Sequence, residues 1–210
     1  MILRSSPPSP FGRITKIAAH VLGLYDQITV EFTDTNDAND SIRAQNPLGK
    51  IPALILDDGR VIYDSRVIVE YMDSLAGGGK IIPSSGDARF ETLTRTALMS
   101  GLLDAAILVL YEARFRPEEK HVPEWVEYQR EKITRALNAI ADMAPTYKNG
   151  AMPDMGEIAL ACALDYLDYR KQANWRDFCP DMAQWMTDFA ASVPGYQSTL
   201  PEDIDPAPWR

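Results

Sequence analysis

A run of three glycines at positions 77–79 divides this chain into two regions whose apolar residues repeat with different periods. The run is soon followed by Pro-Ser-Ser-Gly at positions 83–86. Glycine and proline at this density interrupt both helices and strands, and such a break is typical of a domain border. The sequence therefore predicts two domains and a linker: residues 1–76, residues 87–210 and, between them, residues 77–86.

The first predicted domain mixes short strands with helices. A brief apolar strand at residues 2–3 precedes a Pro/Ser turn and a helix that Gly23 ends. Residues 27–32 then alternate in polarity, which predicts a half-buried strand with one apolar face. The members of that face are Ile28, Val30 and Phe32.

A turn signal and a helix cap complete this domain. A short helix follows the polar residues 33–40, and two strand-like segments then flank Asp58-Gly59, a pair that is typical of a tight hairpin. Asp64 and Ser65 precede a stripe of apolar residues at helical spacing, and a residue of either type can cap that helix. The predicted order of elements is therefore β-α-β-α-β-β-α.

The second predicted domain contains helices only. Residues 158–164 are apolar on every side, which predicts a helix buried at the centre of the domain. The segment from Asp154 to Glu157 resembles a capping box at the start of that helix. The predicted helices are at residues 87–113, 123–144, 154–170 and 181–191, and no strand pattern interrupts them.

The charge and the apolar runs of the chain restrict its partners and location. Its 210 residues include 21 Lys and Arg against 30 Asp and Glu, and the net charge of −9 repels nucleic acid and anionic membranes. Only three apolar residues precede Arg4, too few for the apolar segment of a signal peptide. The apolar runs at residues 105–110 and 158–164 fall short of the roughly 20 residues of a membrane span. We therefore expect a cytoplasmic protein that binds neither nucleic acid nor a membrane.

The cysteines and histidines do not form a metal-binding pattern. Cys162 and Cys179 are 17 positions apart, and the two histidines, His20 and His121, lie elsewhere in the chain. A structural zinc site needs four ligands at closer spacing. Cys162 lies within an apolar helical run and Cys179 beside a loop proline, so we expect structural roles for both and no bound metal.

Four short segments of the sequence carry its chemical information. They are Ser9-Pro10-Phe11-Gly12-Arg13, the Asn-Pro-Leu-Gly-Lys-Ile-Pro segment at residues 46–52, Asp64-Ser65, and residues 154–169. In this order they resemble the cytosolic glutathione transferase family over nearly the whole chain. The first three are similar to the glutathione-site motifs of bacterial members that use a serine. The resemblance implies an α+β, thioredoxin-like first domain and an all-α, helical-bundle second domain.

The resemblance assigns activation of the glutathione thiol to a serine hydroxyl. A free thiol has a pKa of about 8.5 and is mostly protonated at neutral pH. A hydroxyl donor at the positive end of a helix stabilises the thiolate. Ser9, just ahead of the first helix, is the predicted catalytic donor, and Ser6 is the alternative. No tyrosine lies near position 7, where other classes of the family carry their activating hydroxyl.

The resemblance also implies a binding site for the rest of glutathione. A cis peptide bond before Pro52 would let the backbone of Ile51 pair with the cysteinyl unit. Asp64 would pair with the γ-glutamyl ammonium, and Ser65, at a helix N-terminus, would bind the γ-glutamyl carboxylate. Lys50 could approach the glycyl carboxylate, although a solvated lysine on a loop is at least as good an interpretation.

The predicted reaction is attack of the glutathione thiolate on a small hydrophobic electrophile, with glutathione as co-substrate and no metal. No cysteine lies within residues 9–12, so mixed-disulfide chemistry through the protein is disfavoured. The residues that we expect in the pocket for the second substrate are Pro8, Phe11, Tyr111 and Phe115.

Two other interpretations compete with this one. A non-catalytic binding or regulatory protein could keep the same fold and glutathione site, because fold does not entail function. An isomerase that uses glutathione as a cofactor would be expected to have a Ser-Ser-Cys entrance motif, which this chain lacks. The resemblance further implies detoxification as a role and a homodimer in which the third helix of one first domain packs against the partner's second domain.

Overall fold

A four-stranded mixed sheet forms the centre of the first domain in the computed structural model, which describes residues 1–143, 148 and 150–201. The strands lie in the order β2-β1-β3-β4, with β1 parallel to β2 and antiparallel to β3. The predicted β-α-β-α-β-β-α order and thioredoxin-like domain are confirmed. The elements are β1 (Ile2–Ser5), α1 (Pro10–Val21), β2 (Thr29–Phe32), α2 (Ile42–Gln45), β3 (Ala53–Ile55), β4 (Val61–Ile62) and α3 (Ser65–Leu75).

The second domain consists of helices, as predicted. The predicted end of its second helix at residue 144 and the last residues, 202–210, lie outside the described part of the chain. The glycines at positions 77–79 all have positive φ and lie between the last helix of the first domain and the first helix of the second. The helices are α4 (Gly86–Phe115), α5 (Pro123–Ala141), α6 (Met155–Arg170) and α7 (Met182–Ser192).

The central helix of this domain, α6, is buried nearly all round. Its start is fixed by a capping box: the Asp154 carboxylate accepts from the Glu157 backbone N–H, and the Glu157 carboxylate accepts from the Asp154 N–H, both at 2.8 Å. Ile158 and Leu164 are completely buried. Because α6 packs against α4 on one side and α1 on another, it joins the two domains into one core.

Helix α4 is, within the described residues, the one helix long and apolar enough by composition to cross a membrane. Apolar runs alone did not reveal this, because Asp104 interrupts them. The buried core helix of a soluble protein meets the same criterion. Leu102, Leu103 and Leu110 of α4 are buried in the hydrophobic core or beside it.

The prediction that β2 is half buried is wrong. All four of its residues are exposed, Val30 to 37% and Phe32 to 69%, and only Ile28, just before the strand, is buried. The strand lies at the edge of the sheet, and among the described strands β1 is its one neighbour. The alternation of polar and apolar residues showed two different faces, but whether either face is covered depends on where the strand lies in the sheet.

Candidate functional site

Ser9 lies at the N-terminus of α1 with its side chain in the capping position. Its Oγ accepts a hydrogen bond of 3.1 Å from the Gly12 backbone N–H, and its carbonyl accepts from the Arg13 N–H. Pro10, which cannot donate a backbone hydrogen bond, occupies the first helical position. The hydroxyl is half-buried and acts as an acceptor toward the helix, which leaves its own hydrogen to be donated elsewhere.

The close packing of α1 on β1 depends on a glycine. A Cβ atom added at Gly12 would lie 2.1 Å from the Oγ of Ser5 and 3.4 Å from the Cβ of Ser9. Ser5 is almost completely buried beneath this turn. The absence of a side chain at position 12 therefore lets the first turn of α1 approach the sheet and sets the position of Ser9.

The alternative hydroxyl, that of Ser6, is placed differently. The Ser6 carbonyl accepts from the Ser9 backbone N–H at 3.1 Å, so the two residues belong to one tight turn. A cavity opens between the two domains; Ser9 lines it, whereas Ser6 does not.

The turn before Pro52 is held by the side chain of Asn46. Asn46 is buried, its Nδ2 donates to the Lys50 carbonyl at 2.8 Å, and its Oδ1 accepts from the Leu48 N–H at 3.0 Å. The Ile51–Pro52 peptide bond is cis, as expected. Pro52 is buried and Ile51 half-buried, whereas Lys50 is exposed.

The segment that leads into this turn is anchored by Arg4, a buried residue of β1. Its guanidinium bridges the sheet and the start of α2 through several charge-assisted hydrogen bonds. No local pattern around Arg4 indicates this role, because the partners are 29 or more positions away. The acceptors are the side chains of Thr33, Asp40, Ser41 and Gln45, all at 2.8–2.9 Å.

Asp64 and Ser65 lie at the start of α3, where the sequence predicted them. Asp64 is the capping residue, and its carboxylate accepts from the backbone N–H of Arg66 at 3.0 Å and pairs with the Arg66 guanidinium at 2.9 Å. Burial raises the pKa of Asp64, but these hydrogen bonds and the Arg66 charge hold it below its usual range. The carboxylate is therefore ionised at neutral pH, and Ser65 is buried beside it.

Asp104 of α4 is a charged neighbour of this region that the sequence analysis missed. It is the single charged residue between Arg95 and Glu112, a signal that could have singled it out. Burial raises the pKa of its carboxyl, and the nearby charge of Lys50 opposes this effect. The charges of Arg66 and Asp64 also affect the pKa of Asp104. Charged residues of both predicted glutathione-site segments therefore lie around one carboxylate.

A cavity of about 220 Å³ opens between the two domains beside Ser9. The first domain contributes Pro7, Pro8, Ser9, Pro10 and Arg13 to its wall. Helix α6 contributes Cys162, Asp165, Tyr166 and Tyr169, and the chain after α7 contributes Leu200 and Pro201. Of the four residues predicted for the second-substrate pocket, Pro8 therefore lies in this wall.

The other three predicted pocket residues lie outside the wall of this cavity. Phe11 is half-buried and packs against the hydrophobic core. Tyr111 and Phe115 contact each other edge to face, with ring centroids 4.9 Å apart, and both are exposed at the end of α4. Their part in substrate binding stays a prediction.

Cys162 lines the cavity but is not suited to act as a nucleophile. It is buried, and burial raises the pKa of its thiol to about 12 although the neighbouring Arg13 opposes this. Burial also raises the pKa of Cys179, to about 11. Both thiols are therefore protonated at neutral pH. Within the described residues, no group of three or more His, Cys, Asp or Glu side chains could hold a metal ion.

Comparison with known families identifies both halves of the chain. Residues 8–75 match the glutathione S-transferase N-terminal domain, and residues 123–188 match the glutathione S-transferase C-terminal domain. The two matches fall on the thioredoxin-like sheet with its helices and on the helical domain, respectively. The chain belongs to the glutathione S-transferase family.

Individual relatives agree with this assignment. The chain is 31% identical to the uncharacterized GST-like protein YibF of Escherichia coli, over 82% of this chain and 85% of that protein. It is 37% identical, with a TM-score of 0.87, to a glutathione transferase family member from Pseudomonas fluorescens Pf-5 that was crystallised with bound glutathione. That match covers 95% of this chain and 98% of the other. A glutathione S-transferase from Methylobacterium radiotolerans in complex with glutathione sulfonate is 26% identical, with a TM-score of 0.86, over 97% of this chain and 95% of the other.

Proposed function

We propose that this protein is a serine-type glutathione transferase in which Ser9 activates glutathione as a thiolate for attack on a small hydrophobic electrophile. One observation carries the proposal: the Ser9 hydroxyl accepts from the Gly12 N–H at the N-terminus of α1 and borders the cavity between the domains. An oxygen held in this way as an acceptor directs its own hydrogen to another partner.

The chemistry follows from the stability of the thiolate. A glutathione thiol in water has a pKa of about 8.5, so near pH 7 only a few per cent is ionised. A hydrogen bond from Ser9 and the partial positive charge of the α1 N-terminus both favour the anion. The thiol proton leaves to solvent, and the thiolate then attacks the electrophilic carbon. The bond from that carbon to a leaving group breaks, and the leaving group departs with the electron pair. The thiols of the protein itself take no part, because both are buried and protonated.

The remaining parts of glutathione would be bound along the edge formed by the cis Pro52 turn and the start of α3. The Ile51 backbone would pair with the cysteinyl unit, and Lys50 would approach the glycyl carboxylate. The ionised Asp64 would pair with the γ-glutamyl ammonium, and Ser65 would bind its carboxylate at the helix N-terminus. The relatives that were crystallised with bound glutathione support a glutathione site in this chain.

The second substrate would occupy the cavity beside Ser9. Its wall combines prolines with the rings of Tyr166 and Tyr169, surfaces that suit a small hydrophobic molecule. A second structure of the Pseudomonas fluorescens relative, also 37% identical, contains S-(propanoic acid)-glutathione. A relative that binds a glutathione with a substituent on sulfur supports a second-substrate site next to the thiol.

We also propose a cytoplasmic homodimer with a role in detoxification. Val67 and Leu75 of α3 and Phe90 of α4 are exposed, to 51%, 49% and 67%. Large apolar side chains exposed on two neighbouring helices are typical of a surface that another protein covers. In the dimer, α4 of each protomer would cover α3 of the other, because a two-fold interface uses each surface twice.

The decisive experiment is calorimetric titration of glutathione into the wild type and the Asp64→Ala and Ser9→Ala variants, with thiolate absorbance followed against pH. We expect the wild type to bind, Asp64→Ala to lose binding, and Ser9→Ala to bind but form thiolate only at higher pH. The exposed linker residue Ser84 supplies a matched control, since Ser84→Ala should behave as the wild type.

A conjugation assay with a panel of small electrophiles, added to this experiment, separates the two candidate functions. If the wild type binds glutathione and forms thiolate but conjugates none of a panel of electrophiles, the non-catalytic binding protein becomes the better description. If the wild type neither binds glutathione nor forms thiolate, the transferase assignment fails.

A further inference from the structure

An ion pair between a buried arginine and a half-buried aspartate crosses the domain junction next to the proposed second-substrate cavity. Arg13 lies one helical turn after Ser9 and is 4% exposed, and its Nη1 donates to the Asp165 carboxylate of α6. Both residues belong to the cavity wall. Burial lowers the pKa of Arg13, but its negative neighbours, with Asp165 and the hydrogen bond to it among them, hold the pKa raised overall.

Arg13 also holds the segment that follows α7. Its Nη2 donates to the Tyr196 carbonyl at 3.3 Å, and its Nε donates to the Thr199 hydroxyl at 3.4 Å. The guanidinium lies over the Tyr196 ring, 4.6 Å from the centroid. The Tyr196 hydroxyl in turn donates to the second oxygen of Asp165 at 3.0 Å. One guanidinium therefore connects α1, α6 and residues 196–199.

The residues that Arg13 holds lead directly into the wall of the cavity. Leu200 and Pro201 follow Thr199 directly, and both line the cavity. Their position depends on the residues just before them, which Arg13 and Asp165 hold. A lysine at position 13 could keep the ion pair, but it could not reproduce a planar group that donates in several fixed directions and stacks on a ring.

We infer that Arg13 and Asp165 are positioning residues that fix the wall of the second-substrate cavity and so determine which substituents fit next to the glutathione sulfur. The inference rests on the proposed function, because it places the sulfur beside Ser9. A buried ion pair adds little net stability but fixes geometry, and geometry is what this wall requires.

The experiment uses glutathione and its S-methyl, S-butyl and S-hexyl derivatives as probes, titrated calorimetrically into the wild type and Arg13→Lys. Each methylene that enters an apolar cavity raises affinity up to about fourfold. We expect the wild-type affinity to rise with chain length up to the size of the cavity. In Arg13→Lys the gain per methylene should fall at least about twofold, while the affinity for unsubstituted glutathione stays within about twofold of the wild type.

Two further variants keep the test informative if Arg13→Lys folds poorly. Thr199→Val removes one acceptor of the Arg13 guanidinium and keeps the ion pair. The gain in affinity per methylene should therefore fall less than in Arg13→Lys. Arg176→Lys is the matched control, because Arg176 also pairs with a carboxylate of α6, that of Asp168, but lies outside the cavity wall. It should leave all four affinities unchanged.

The outcomes distinguish this inference from the proposed function. If the wild type does not bind glutathione, the proposed function fails and the inference with it. If the wild type binds glutathione but gains nothing from the alkyl chains, or if Arg13→Lys and Thr199→Val keep the wild-type gain, only the inference is overturned. Equal weakening of all four ligands together with a lower melting temperature would indicate a purely structural pair and would also overturn it.

Discussion

The Ser9 hydroxyl accepts a hydrogen bond from the Gly12 backbone N–H at 3.1 Å, and this single contact joins the fold to the proposed chemistry. It caps α1, and it fixes the hydroxyl at the helix N-terminus beside the cavity between the domains. The same oxygen is therefore expected to contribute to both stability and thiolate formation, and suitable variants can separate the two contributions.

Replacing Ser9 should impair catalysis more than stability. Ser9→Ala removes the donor to sulfur, so the bound thiol should ionise at higher pH and the rate of conjugation near pH 7 should fall about 10²-fold. The lost cap should cost about 1 kcal/mol of unfolding free energy. Stopped-flow thiolate absorbance and denaturant unfolding measure the two effects. Ser6→Ala is the control, and a larger rate loss in Ser6→Ala than in Ser9→Ala would assign the activation to Ser6.

The charge of the Asp64 carboxylate is expected to bind glutathione, whereas its capping hydrogen bond serves only α3. Asp64→Asn keeps a side chain that caps α3 but removes the carboxylate that pairs with an ammonium. We expect the dissociation constant for glutathione to rise about 10- to 100-fold, the value for a lost hydrogen bond between charged groups. Unfolding free energy should change little, since the pair with Arg66 is exposed. Glutathione affinity equal to the wild type in calorimetry would contradict the proposed role.

Gly12 is required by the packing of α1 on β1. The Cβ of Gly12→Ala would lie 2.1 Å from the buried Ser5 Oγ, so the Ser5 side chain or the backbone around it must shift, at a cost of about 1–3 kcal/mol. Gly101→Ala is the matched control, because Gly101 is also helical and nothing lies within 4 Å of its added Cβ. That variant should gain about 0.5–1 kcal/mol in urea unfolding from the better helix propensity. A neutral Gly12→Ala would show that the turn is not tightly packed.

His20 should make the protein less stable in mild acid. Its ring stacks on Tyr25 with centroids 3.7 Å apart, and burial lowers its pKa below 6.5 although Asp26 opposes this. The unfolded chain therefore binds the proton more tightly, and stability falls as the pH drops through 6.5. His20→Phe keeps the stack without titrating. In thermal unfolding, the melting temperature of His20→Phe should fall less between about pH 7.5 and about pH 5.5 than that of the wild type.

The proposed dimer can be tested at Phe90. A carboxylate in Phe90→Glu would have to be buried against the partner, so the variant should sediment as a monomer at concentrations where the wild type is a dimer. Phe32 is about equally exposed but lies on the edge strand β2, at the opposite edge of the sheet from β4. Phe32→Glu should therefore leave the sedimentation unchanged. A monomeric wild type would remove the homodimer from the proposal.

Local signals account for the parts of the fold that the sequence predicted well. The caps at Ser9, Asp64 and Asp154 act on backbone groups two or three residues away, so the residue types themselves indicate the helix starts. The Asp58-Gly59 turn is local in the same sense. Resemblance to the glutathione transferases then supplied what local patterns lack, namely the thioredoxin-like fold of the first domain and the cis bond at Pro52.

Contacts between distant residues lay beyond the sequence analysis. Arg13 and Asp165 are separated by 152 positions, and neither residue's neighbours in the chain indicate the other. The Asp104 carboxyl comes near the charges of Lys50, Asp64 and Arg66 only in the folded chain. The exposure of β2 similarly depends on its place at the edge of the sheet.

The sequence by itself thus determined the helices, the strands and the family, because each depends on spacing, capping and turn chemistry within a few residues or on recognisable motifs. The tertiary structure decided which side chains form the cavity between the domains and which charges surround the glutathione segments. Those properties come from packing one domain against the other, and the free energy of such contacts depends on distances in space that spacing along the chain does not contain.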